Sequence, residues 1–167
     1  MIRRAVQAGF VLSLLFVLPL RAQQLLSTAT GPLHEVKSIQ VEPTVVTSPD
    51  QVKDPSAVNL VQDSLKNAFR LADFQLTENA PIRAHLILDE FTSGSAAKRF
   101  VVGFGAGRST VTCRLVLQDA DGKELANVRI HVRGNLAFSP YQGNNTQRRQ
   151  AVSSLDQRLL EEIEKMK

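Results

Sequence analysis

The sequence predicts a two-layer α+β sandwich, with two helices packed on one face of a mainly antiparallel sheet. Three observations carry the prediction. Apolar residues between Val58 and Ala72, and again between Val152 and Met166, return every three or four positions, the period of a helix with one buried stripe. Residues 82–88, 111–117 and 128–132 instead alternate apolar and polar side chains, the period of a half-buried strand. The order strand, helix, several strands and closing helix then leaves both helices on the same side of one sheet.

The first 22 of the 167 residues are expected to be a targeting segment. Arg3 and Arg4 precede an apolar run from Ala8 to Leu20, and Leu20-Arg21-Ala22 offers a small residue before a cut at Gln23. The pattern is that of a secretory signal peptide, with a run too short to span a bilayer comfortably. No integral membrane segment is expected after cleavage. The full chain has 20 basic and 16 acidic residues; without Arg3, Arg4 and Arg21 the count is 17 against 16, a net charge of +1. A nearly neutral domain gives no reason to expect nucleic acid as a partner. Cys113 is the single cysteine, so neither an intramolecular disulfide nor a cysteine-based metal site is expected.

Residues 23–35 read as a flexible lead, and 36–167 as one α+β domain. Val36, Ile39, Val41, Val45 and Val46 suggest a first strand whose end is disturbed by Pro43. Asp54-Pro55 reads as the N-cap and first residue of a helix over about 55–72. Val58, Val61, Leu65, Ala68 and Ala72 form its stripe, widened by Leu60, Phe69 and Leu71. A short strand over 74–77 precedes the strand starting at Ile82. Asp119-Ala120-Asp121-Gly122 is a tight turn joining two antiparallel strands, with Gly122 free to take positive φ. The final helix is expected from Thr146 to Lys165, with Glu161 and Lys165 as an i,i+4 pair.

The segment from Gly94 to Gly122 is the most distinctive. Gly103, Gly105 and Gly107 suggest a phosphate cradle, but no lysine follows Gly107, Arg108 stands where a dinucleotide fingerprint needs glycine, and a strand follows where a helix is needed. These glycines are read as structural. No cofactor is expected. His34, His85 and His131 match no metal spacing, although His85 and His131 could meet across a sheet. No Gly-x-Ser-x-Gly elbow is present. Asp89 and Glu90 are adjacent on a strand, so alternation should send them to opposite faces and keep them from acting on one bond. An enzyme is not expected. The sheet face away from the helices should carry Arg114, Arg129, His131 and Arg133. Lys98, Arg99, Arg108, Arg129 and Arg133 are the candidate contacts for an acidic partner.

Several of these features together resemble a bacterial family known as domain of unknown function 4410. They are Leu86-Ile87-Leu88-Asp89 before Gly94-Ser95, Lys98-Arg99 before the run Val102 to Gly107, and the strand Val111–Leu117 leading to Asp119-Ala120-Asp121-Gly122-Lys123-Glu124-Leu125. The resemblance extends from about Val36 and is strongest over 82–126. It implies a small exported envelope domain with no established activity or functional residue. No cysteine follows the signal here, which argues against lipid anchoring to the outer membrane. The expectation is a non-enzymatic domain of the periplasm, or a secreted one peripheral to the outer membrane, contacting another envelope protein. The alternative is a small-ligand or glycan-binding module using the glycine-rich loop.

Overall fold

The computed structural model describes residues 31–52, 54, 56–93, 108–134 and 144–167. Six strands form one sheet: β1 (Ser38–Val41), β2 (Val45–Val46), β3 (Gln75–Leu76), β4 (Ile82–Thr92), β5 (Thr110–Asp119) and β6 (Glu124–Arg133). Helices α1 (Ala57–Leu71) and α2 (Asn144–Lys165) pack on one face. The predicted α+β sandwich is the fold observed.

The spatial order is β3-β1-β4-β5-β6, and β2 also pairs with β4. β4, β5 and β6 form an antiparallel meander that contains the expected β5–β6 hairpin. β1, β2 and β3 pair in parallel, so the sheet is mixed. The first strand is split, because Pro43 lacks the N–H a ladder needs. β1 pairs with residues 82–84 of β4 and β2 with 87–88, laying two short pieces along one edge.

The core lies between sheet and helices. Ile39, Ile82, Ala84, Leu86, Leu88, Phe91, Val111, Cys113, Leu115, Leu117 and Ile130 meet Val61, Leu65, Ala68 and Phe69 of α1 and Ala151, Leu155, Leu159 and Ile163 of α2. Leu71 does not widen the helical stripe; it is 66 % exposed. Burial pushes the Cys113 thiol up to about 12, as it excludes water from the thiolate.

The helices run side by side in the same direction. At their starts, Arg148 donates to Asp54 at 2.8 Å. At their ends, Lys167 stands over the Phe74 ring, 5.4 Å from its centroid. α1 begins two residues later than expected. Asp54 Oδ1 accepts from the backbone N–H and the hydroxyl of Ser56, at 2.9 and 2.6 Å, and Ser56 takes the cap position. Pro55 lies outside the described residues. Asp73 ends α1 with φ of 64°, a place usually filled by glycine, and Phe74 N–H reaches back to the Phe69 carbonyl.

The packed chain also begins earlier than Val36. Leu33 is 1 % exposed and its N–H donates to the Met166 carbonyl at 2.9 Å. Gly31 lies so close to the end of α2 that a Cβ there would run into the Met166 carbonyl. Residues 31–35, expected in the lead, thus fasten the two ends of the domain together. On α2, Lys165 pairs with Glu162 at 2.8 Å instead of Glu161, which Arg158 takes.

Candidate functional site

The sheet face turned away from the helices carries the charged groups, and its geometry depends on one irregularity. From Ile82 to Leu88 every β4 residue pairs with β5 in constant register, but Leu88 faces Cys113 while Glu90 faces Thr112. Asp89 is therefore an extra residue, a β-bulge. The bulge resets the alternation, so that Leu88 and Phe91 both point into the core. Asp89 and Glu90 then share the outward face, against the expectation from simple alternation. Asp89 meets Arg114, and Glu90 meets Thr112, both outward residues of β5.

Two hydrogen-bonded groups result. Arg114 grips Asp89 with two nitrogens, Nε to Oδ2 at 3.3 Å and a terminal nitrogen to Oδ1 at 3.2 Å. Thr47, just beyond β2, donates to the same Oδ1 at 2.7 Å. The Arg114 hydrogen bonds, with Thr47 and the Arg129 charge adding to them, hold the Asp89 carboxyl below the ordinary carboxylate range.

The second group runs across β6, β5 and β4. Arg133 Nε lies 3.1 Å from His131 Nε2, His131 Nδ1 lies 2.9 Å from Thr112 Oγ1, and Thr112 Oγ1 lies 3.3 Å from Glu90 Oε2. Arginine can only donate, so Nε2 accepts, Nδ1 carries the imidazole proton toward Thr112, and the Thr112 hydroxyl donates to Glu90. The donors all point toward the carboxylate. In this arrangement His131 gives a proton to the Thr112 oxygen's hydrogen bond and does not accept one from it, which is the reverse of what a base beside a nucleophilic hydroxyl must do.

Nearer the β5–β6 turn, Arg83 donates to the carbonyls of Asp119 and Ala120 and lies 3.7 Å from Glu42. Asp119 organises that turn by accepting from the N–H groups of Asp121 and Lys123, and Gly122 takes φ of 84°. Val116 is only 2 % exposed on this face.

Of the candidate contact residues, Arg129 and Arg133 stand exposed on β6, with Arg129 directly across from Arg114. Arg108 is half-buried ahead of β5. Lys98, Arg99, Gly103, Gly105 and Gly107 lie outside the described residues. His85 and His131 share the face but do not meet: β5 runs between them, with His85 opposite Val116 and His131 opposite Thr112. Among the described residues, no three His, Cys, Asp or Glu side chains converge as metal ligands. No described helix is long and apolar enough to cross a membrane. Sequence reading missed the joint placement of Asp89 and Glu90. The signal was there in Phe91, an apolar residue one position out of phase with Leu88.

The geometry defines a class of protein: a small α+β sandwich whose sheet has one face without a helix among the described residues, and that face carries ordered ion pairs. The sequence model described as "Domain of unknown function (DUF4410)" matches residues 34–135, and the chain belongs to that family. Among curated proteins, none matches the chain in sequence. Solved structures that share its fold include the following two. PelC from Paraburkholderia phytofirmans, solved as a dodecamer, is 14 % identical with a TM-score of 0.52 over 75 % of this chain and 82 % of that one. Protein XCC0632 from Xanthomonas campestris, of family DUF330, is 11 % identical with a TM-score of 0.53 over 75 % of this chain and 81 % of that one.

Proposed function

We propose that the protein is an exported domain of the bacterial cell envelope that works through protein contacts and not by catalysis. The open face of β4, β5 and β6 is its contact surface, and another envelope protein is its partner. One observation carries this reading. The charged groups of that face are held by one another, through Asp89, Arg114 and Thr47 and through Arg133, His131, Thr112 and Glu90. A partner would meet side chains already ordered, which lowers the entropy lost on binding. The signal-like residues 1–22 support export to the periplasm. That a protein of the same fold, PelC, is a dodecamer supports the view that this fold serves assembly.

Two experiments test the reading. Protein recovered from the periplasm should begin at Gln23, and an intact Met1 on all of it would overturn cleavage of the segment. Crosslinking in cells expressing the full chain should trap a defined envelope protein. Charge reversal at Arg129 and Arg133 should abolish that product, with Lys98, Arg99 and Arg108 reversed as a second set. Capture unaffected by every reversal would remove the charged face from the account. Saturable binding of a small molecule or glycan without any protein partner would favour a ligand-binding module instead.

A further inference from the structure

We propose that two copies of this chain pair antiparallel along the open edge of β6, continuing the sheet through a two-fold axis at Val128. The inference rests on the reading that the domain works through protein contacts, and names a second copy as one such partner.

The first support is the backbone. β6 is the last strand in the sheet order, so nothing among the described residues pairs with its outer edge. Gly134 N–H donates to the Ser109 carbonyl at 2.8 Å, which makes that pair a hydrogen-bonded one, and Thr110–Arg133 continues in the same register. Bonding alternates along an antiparallel ladder. The N–H and C=O groups of Arg133, His131, Arg129 and Asn127 therefore point away from β5, ready for another strand.

The second support is charge. Edge strands are commonly blunted by charged side chains, and an edge of one sign repels its own copy. Here the sign changes along the strand. Asp121, Lys123 and Glu124 stand at the start with a net negative charge, and Arg129 and Arg133 stand towards the end, all of them exposed. A parallel copy would set like against like. An antiparallel copy sets the acidic start of one edge against the basic end of the other.

Register follows from the same rule. With Arg129 on the axis, two guanidiniums would face each other. With Val128 on the axis, Arg129 faces the second copy's Asn127. His131 then faces the second copy's Glu124 across the bulge at Leu125, where the β5–β6 register shifts. Arg133 lies diagonal to that same Glu124, within reach of a long side chain. On the helix side, Val128 meets Val128 and Ile130 meets Ala126, so the apolar floor continues from one copy to the next. The contact is self-complementary, as a two-fold interface must be.

The test uses protein purified from cells expressing the full chain. Light scattering should give twice the monomer mass, and Glu124→Lys or Arg133→Glu should each weaken the dimer by about tenfold or more. The combined variant should regain it. Val128 falls at a non-hydrogen-bonded position on the axis, where Cα atoms about 4.5 Å apart suit a disulfide. Val128→Cys should thus form a covalent dimer under mild oxidation, and Leu71→Cys on α1 should not. Cys113 is buried and does not compete. A monomer at every concentration reached overturns the pairing, as does a dimer untouched by both reversals. A monomer that still traps an envelope protein overturns the pairing alone. Loss of trapping with the dimer intact overturns the wider reading and leaves the pairing standing.

Discussion

The two faces of one sheet are built from the same three strands and obey different physics. The helix-covered face is apolar and closed, with Leu86, Leu88, Cys113, Leu115 and Ile130 buried under α1 and α2. Its stabilisation comes from area removed from water and scales with side-chain volume. The open face places Arg83, Asp89, Glu90, Arg114, Arg129, His131 and Arg133 on the same strands. Each pair there gains little, because water and salt screen it. The comparison teaches that the two faces can change independently, except where one residue serves both. That residue is Asp89, whose bulging keeps Phe91 inward and sets the two carboxylates outward.

The sharpest way to break the comparison is to empty the core position that lies beyond the insertion. Phe91→Ala should cost about 3–5 kcal/mol by urea unfolding. Deleting Asp89 closes the bulge with Glu90 still opposite Thr112 and Phe91 still opposite Val111, so it should cost only the hydrogen bonds that Arg114 and Thr47 make to Asp89, about 1–2 kcal/mol. A deletion as costly as Phe91→Ala would show that the extra residue itself sets the course of the strand.

Val116 sharpens the comparison from the other side. It is outward-facing yet only 2 % exposed. Val116→Ala should cost about 1–2 kcal/mol, less than a change on the core face. Asp89→Ala comes next, at about 1 kcal/mol, because it strands Arg114 and Thr47 at a site only partly shielded from water. If Asp89→Ala proved costlier than Phe91→Ala, the open face would be a second core and not a solvated surface.

Legibility in the sequence followed the same division. Periodicity is strong where burial enforces it, so the two helices, the three long strands and the β5–β6 hairpin were readable from spacing and turn chemistry alone. Pairing partners were not, because β1, β2 and β3 are too short to carry a pattern and owe their parallel pairing to β4. The stop of α1 at Asp73 gave no signal, since the usual glycine is absent and an aspartate takes the left-handed position. Leu33 looked like part of a polar lead because its burial depends on Met166, at the far end of the chain. Asp89 and Glu90 were misplaced because one inserted residue inverts every later assignment on a strand. Phe91 and Thr92 carry the phase change, but over too few residues to separate a bulge from the end of the strand.

The smallest predicted effect is the most specific, because it uses pH to separate the faces. Asp54 and Asp89 both have carboxyls held below the ordinary value of 3.8. For Asp54 the Ser56 hydroxyl is the main cause, with the Ser56 N–H and Arg148 adding to it; for Asp89 the main cause is Arg114. A carboxylate whose pKa is lower folded than unfolded favours the folded state only while ionised. Both contributions are therefore complete above about pH 5 and disappear as pH falls below 4 through the folded-state values. Asp54→Asn and Asp89→Asn should each lower stability at pH 7 by under about 1 kcal/mol and each flatten the acid limb of the stability curve. Added salt should erase more of the Asp89 effect than of the Asp54 effect. The Asp89 pair is the more exposed of the two and leans on Arg114, whereas Asp54 leans first on a neutral hydroxyl that ions do not screen. Equal salt sensitivity at the two sites would mean that the start of α1 is held by charge as much as the open face is.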